Sequence, residues 1–200
     1  TILPLCPTYG DIDILKKTTN IYESIHENYE VHKSLYDNGK GKMTQQRIRK
    51  QNFANGQISK TETSEYKYKI IDKIGKRNPY PGVYYYNKTK MIDYTKPKTI
   101  LCTGGDLSPS YDSEGIYNIS DNMLYILTKS EEEFNIIKLL IYSKLFNYLC
   151  KVTMTDNMHG RDYILKVIKK ISINNINNDT DIYKYYNLTE EEIKLIEATV

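Results

Sequence analysis

Histidine, cysteine and clustered carboxylates are where chemistry would start, and in this chain none is spaced to begin it. His26, His32 and His159 lie apart, and none belongs to a metal or nucleophile motif. His26 and His32 stand at i and i+6, too far round a helix to share an ion as an i, i+4 pair does. All three read as surface or packing residues. Glu131-Glu132-Glu133 and Glu190-Glu191-Glu192 fall where helices are expected to begin, and the positive end of a helix dipole explains them without a metal. Cys6, Cys102 and Cys150 are odd in number, far apart and flanked by apolar residues. That pattern fits reduced, structural thiols in a reducing compartment, not a disulfide framework or a zinc site. Gly104-Gly105 lacks the spacing of a dinucleotide or phosphate loop. The expectation is a chain that binds and has no catalytic residues of its own.

Charge indicates what it could bind. With 28 Lys and Arg against 25 Asp and Glu, the net charge of +3 is only mildly basic, which permits a nucleic-acid partner without demanding one. The distribution says more. Lys40 to Lys50 holds Lys40, Lys42, Arg47, Arg49 and Lys50 with no acid, and Lys67 to Lys98 is also strongly basic. The middle of the chain is the expected anion-facing part. Twenty tyrosines beside three phenylalanines and no tryptophan resemble coding from an AT-rich genome and are not taken as a sign of function.

Around these residues the periodicity predicts the following elements. Asp11 to Leu35 reads as helical, with a break near Thr18-Thr19. Tyr36 to Ser64 is turn-rich, with room for one short ribbon. Strands are expected at Tyr66–Ile70, Val83–Tyr86, Thr99–Thr103 and Met123–Leu127. Ser130 with Glu133 forms a capping box before a long helix over 131–150, with Phe134, Ile137, Ile141, Leu145 and Leu149 on one face. Further helices are expected at Arg161–Lys170, Asp181–Tyr186 and Glu190–Ala198, the last opened by a Thr189/Glu192 capping box. The fold class is α+β: a small twisted mixed or antiparallel sheet backed by helices, with a C-terminal helical tail. The expected organisation is a helical and loop segment over 1–64 (the end of a longer upstream domain, since the chain opens on Thr1), a sheet-plus-helix domain over 65–172 and a helical tail over 173–200. No run reaches the roughly 18 apolar residues of a membrane span, so an intracellular, cytoplasmic protein is expected.

One short motif invites a catalytic reading. Arg77-Asn78-Pro79-Tyr80-Pro81 resembles the Asn-Pro-Pro-Tyr motif with which amino-methyltransferases grip a flipped base. The order of residues differs, and no glycine-rich cofactor motif precedes it, so it reads as a proline-rigid turn.

A longer resemblance runs through residues 65–197 in patches. Tyr94-Thr95-Lys96-Pro97-Lys98-Thr99-Ile100 leads into Gly104-Gly105. Pro109-Ser110-Tyr111-Asp112-Ser113-Glu114-Gly115 follows, then a strand ending in Tyr125-Ile126-Leu127. This block is similar to the C-terminal target-recognition region of adenine-specific DNA methyltransferases of type II and type IIG restriction-modification systems. Leu140-Ile141-Tyr142-Ser143-Lys144-Leu145-Phe146 resembles that family's leucine-asparagine-serine-lysine-leucine phrase. The tail from Asp181 to Glu197, through Tyr185-Tyr186-Asn187-Leu188-Thr189-Glu190-Glu191, looks like its closing phrase, with Tyr186-Asn187 where the family has phenylalanine-glycine.

The resemblance implies a sequence-specific duplex DNA-binding domain, non-catalytic by itself. Its partners would be duplex DNA and the catalytic methyltransferase domain of the same polypeptide. No cofactor is implied in this fragment; the parent enzyme would use S-adenosylmethionine. Such a domain needs cations for phosphates and a rigid loop that reaches base edges. Lys96 and Lys98 are the phosphate candidates, and Lys40, Lys42, Arg47 and Arg49 a mobile backbone-binding arm. Ser108, Ser110 and Tyr111 are the base-edge candidates, held on a stiff projection that Gly104 and Gly105 open and Gly115 closes. Two rival readings are a protein-interaction module and an RNA-binding domain. Tyrosines alternating on one exposed sheet face would favour RNA, and a continuous apolar groove would favour protein.

Overall fold

The computed structural model describes residues 8–21, 27–33, 35–37, 43–44, 48–72, 74, 84–103, 107–153, 160–172 and 175–200. In chain order the elements are α1 (Tyr9–Thr18), β1 (Val31–Lys33), β2 (Tyr36–Asp37), β3 (Met43–Thr44), α2 (Lys50–Ala54), β4 (Ile58–Ser59), β5 (Tyr68–Ile71), β6 (Tyr84–Asn87), β7 (Lys98–Cys102), β8 (Ser110–Asp112), β9 (Asn118–Ile119) and β10 (Met123–Leu127). Five helices follow: α3 (Glu131–Tyr142), α4 (Lys144–Thr153), α5 (Gly160–Val167), α6 (Asp179–Tyr185) and α7 (Glu190–Thr199). The protein is α+β, with two small four-stranded sheets, mostly antiparallel, and helices at the C-terminal end.

The chain divides into two compact units: Thr1–Glu30 together with Glu132–Val200, and Val31–Glu131. This division does not follow the boundaries expected at 64/65 and 172/173. The first thirty residues group with the C-terminal helices, and the segment after them groups with the strands.

In the helical unit, α4 packs against α5, α6 and α7, and α1 packs against α7. Helix α1 opens with a capping box in which Thr8 and Asp11 satisfy each other's amides. It ends where the sequence suggests a break, because Thr18 Oγ1 and Thr19 Oγ1 donate to the carbonyls of Ile14 and Leu15 and Thr19 is already extended. The expected helix to Leu35 does not continue: Val31–Lys33 pairs as a strand with β10, and pairing partners outweigh a weak helical period. The expected helix over 131–150 is two helices. Ser143 Oγ donates to the Leu140 carbonyl and accepts from the Phe146 amide, so the hydroxyl closes α3 and caps α4. Helix α5 stops at Val167, short of Lys170, because Ile168 and Lys169 bridge Thr19 and Asn28.

In the sheet unit, β1-β10-β7-β8 is wholly antiparallel. The order β4-β6-β5-β9 carries one parallel pair, β5 with β9, and β2 with β3 forms the short ribbon. Ile71 and Ile119 of one sheet meet Ile100, Met123 and Tyr125 of the other in a common core with Tyr36, Ile74 and Met91.

Candidate nucleic-acid interface

Strand parity decides where the expected contact residues lie. Register pairs Lys98 with Leu127 and Asp112, and Ile100 with Tyr125 and Ser110. Residues directly opposite share a face, so Lys98, Ser110 and Asp112 lie on the face that carries Ile100 and Tyr125 into the core. Lys98 is fully buried, its ammonium 3.0 Å from Asp112. Burial draws its pKa down against the pull of that carboxylate. Asp112 also accepts the amides of Ile116 and Tyr117, so this ion pair holds the turn after β8. A lysine enclosed in this way is not placed to meet a phosphate, which corrects the expectation for Lys98.

The base-edge candidates are corrected too. Ser108 and Ser110 are 9% and 8% exposed, in a segment with Leu107 at 0%. Within the expected projection, Ser110–Asp112 is a strand lying against β7. Tyr111 is half-buried on the opposite face. Gly104 and Gly105 lie outside the described residues, as do Lys40, Lys42 and Arg47 of the expected arm and the Asn78–Pro81 motif. Arg49 is exposed at the N-cap of α2, with no side-chain cap hydrogen bond.

Lys96 is placed as expected of a surface cation. Its side chain is 59% exposed and pairs with Asp93 at 2.7 Å. Burial alone would raise the Asp93 pKa, but Lys96 and the Tyr125 hydroxyl (2.5 Å) outweigh it and hold the carboxyl below the ordinary value. The turn carrying Lys96 is strained. Thr95, a β-branched residue, has φ 80°, which side chains of this type rarely adopt. The Thr95 amide donates to the Gly115 carbonyl at 2.8 Å. Gly115 itself has φ 66°, and a Cβ there would stand 2.5 Å from the Thr95 carbonyl carbon. Leu107 and Ser108 are also left-handed, at φ 58° and 35°. Such strain is often kept at functional sites.

Cations held over aromatic rings escaped the sequence reading. On β5 and β6, Tyr68 and Tyr85 share one sheet face, because Tyr68 pairs with Asn87 and Ile70 with Tyr85. Lys67 Nζ and Lys90 Nζ each lie 5.5 Å from the Tyr68 ring centroid. Lys90 is also 5.1 Å from that of Tyr94, whose ring meets Tyr68 edge-on. Lys60 stands over Phe53, which packs edge-on against Tyr85, and Lys88 stands over Tyr66. The alternation Tyr66-Lys67-Tyr68 inside the basic stretch is the available signal, beyond the strand expected at Tyr66–Ile70.

Charge is segregated between the units. Val31–Glu131 holds 17 Lys and Arg against 10 Asp and Glu, a net +7, and the remainder holds 11 against 15, a net −4. The helical unit has a cleft of about 560 Å³ lined by Lys17, Lys169, Lys170 and Tyr185. Its lysines are engaged, Lys17 with Glu192, Lys170 with Glu133 and Lys169 with the Lys16 carbonyl. Among the described residues no group of three His, Cys, Asp or Glu could hold a metal, and no helix is long and apolar enough to cross a membrane. His32 stacks on Tyr125, while His26, His159 and Cys6 lie outside the described residues. Burial pushes the Cys150 thiol up to about 12, as suits an unreactive packing residue. Comparison with protein-family models, with curated proteins and with solved structures found no match.

Proposed function

We propose that this chain binds duplex DNA as the target-recognition region of an adenine-specific DNA methyltransferase, with its sheet unit against the nucleic acid. The carrying observation is the segregation of charge: +7 on the sheet unit against −4 on the helical unit. A basic domain draws in a polyanion and releases its counterions. The acidic remainder favours neither.

Two further observations support the family resemblance. Its first three phrases fall on β7, β8 and β10, which are neighbours in one sheet. Its closing phrase has glycine where this chain has Asn187, and Asn187 takes φ 52°. The amides of Asn187 and Leu188 return to the carbonyls of Lys184 and Tyr183, which is a Schellman ending that asks for glycine or, next best, asparagine. The departure from the phrase thus keeps its backbone geometry. In this reading the catalytic domain of the same polypeptide holds S-adenosylmethionine, and this chain supplies the choice of site.

The RNA-binding rival gains little support. Tyr68 and Tyr85 share one sheet face, but the rings of Tyr66 and Tyr68 already carry ammonium groups and Tyr86 faces away from Tyr85.

Fluorescence anisotropy with duplex, single-stranded and RNA probes at several salt concentrations tests the proposal. Duplex DNA should bind best, with log affinity falling linearly against log salt at about −0.9 per phosphate neutralised. Affinity indifferent to salt, or a preference for unpaired RNA, would overturn it.

A further inference from the structure

Resting on the duplex-binding reading, we infer that Lys67 and Lys90, held over the Tyr68 ring, form a prearranged clamp for the phosphodiester backbone. Both ammonium groups lie 5.5 Å from the same ring centroid, within twice that distance of each other. This is comparable with the Debye length of about 8–10 Å at moderate salt, so their fields add. Both residues are exposed. Their neighbours Lys88 and Lys96 are neutralised by Glu65 and Asp93. Among the described residues no carboxylate pairs with Lys67 or Lys90. Two like charges this near one ring without a paired carboxylate repel each other, and an anion that reaches both relieves the repulsion.

The aromatic frame holds both ammonium groups near one ring nonetheless. Tyr68 is half-buried, with its ring wedged edge-on against Tyr94, and Lys90 spans both rings. Cation–π attraction fixes ammonium groups that would otherwise sweep through solvent, so less side-chain freedom is lost when the anion arrives. Cations standing over the Tyr68 ring also keep bases from stacking there. That selects the backbone as the part of the nucleic acid bound.

The test compares salt slopes of duplex binding for the whole chain and four variants. Lys67→Gln with Lys90→Gln should make the slope shallower by about two phosphates' worth, so that the loss of affinity between about 50 and 200 mM salt shrinks roughly tenfold. Lys67→Arg with Lys90→Arg should keep the wild-type slope. Lys138→Gln with Lys184→Gln, which removes the same charge from the helical unit, should leave it unchanged. Tyr68→Leu should keep the slope and weaken binding a few-fold, since the lysines stay but are no longer held. If the chain binds duplex DNA steeply and the Lys67/Lys90 glutamine variant does so equally, the clamp is wrong and the proposed function stands. If the wild-type chain shows no salt-steep duplex binding, both fail together. Tyr68→Leu losing single-strand affinity while duplex affinity holds would mean that bases stack on the ring, and would also overturn the clamp. Should Tyr68→Leu not fold by circular dichroism, the lysine variants decide alone.

Discussion

Replacing Lys98 with alanine leaves the Asp112 carboxylate buried without its cation, whereas replacing Lys96 removes an exposed cation from Asp93, which is buried but keeps the Tyr125 hydroxyl. Breaking a fully buried pair by removing one partner costs about 3–5 kcal/mol, and a pair whose cation stands in solvent is worth less. Denaturant unfolding should therefore show Lys98→Ala strongly destabilised and Lys96→Ala less so. Equal effects would mean that Lys98 is not enclosed. Asp11 sets a pH dependence. Burial tends to raise its pKa, but hydrogen bonds from the Tyr148 and Thr8 hydroxyls and the Thr8 amide hold it below 3.8 in the folded state. The unfolded chain then binds the proton more readily, so this contribution is present above 3.8 and is lost as pH falls through the folded value. Unfolding free energy should decline from about pH 4 downward, and Asp11→Asn should flatten that decline.

At the scale of elements, the sharpest expectation concerns the turn closed by Gly115. A methyl group there meets the Thr95 and Lys96 backbone at 2.5–2.8 Å and requires a left-handed φ. Gly115→Ala should cost at least about 2 kcal/mol by thermal or urea unfolding; a neutral result would disprove the close approach. The same physics governs Asn187, where a β-branched residue should destabilise and glycine should not. Much of this level was legible in the sequence. The Thr189/Glu192 box, a strand expected at 99–103 and found at 98–102, the strand at 123–127, and the break near Thr18-Thr19 follow from local patterns. What was not legible depended on partners distant in the chain. Nothing near Val31 announces that Tyr125 lies opposite His32. Ser143 ends one helix and begins another through bonds that a continuous apolar face conceals. Lys98 was misread for a simpler reason: standing two residues before Ile100, it shares that residue's face, and period-two alternation already placed it inward.

For the whole molecule, opposite net charges on the two units predict that neutralising substitutions are unequal by location. Arg49→Gln should lower duplex affinity at low salt, and Lys194→Gln should not, as anisotropy titration would reveal. The path of the chain has its own consequence, for synthesis. Helix α1 is completed by residues near the other end: it packs on α7, Lys17 pairs with Glu192, and Tyr148 bonds to Asp11. The sheet unit lies wholly between these partners in sequence. A ribosome adding roughly 5–20 residues per second finishes all ten described strands before this helix meets its mate. Ile14 and Leu15 are both fully buried in the finished fold, and through that interval α7, on which α1 packs, is not yet made. Helix α1, made before the strands, is thus secured only after them, and a nascent chain arrested before Glu190 would offer that helix to chaperones and proteases.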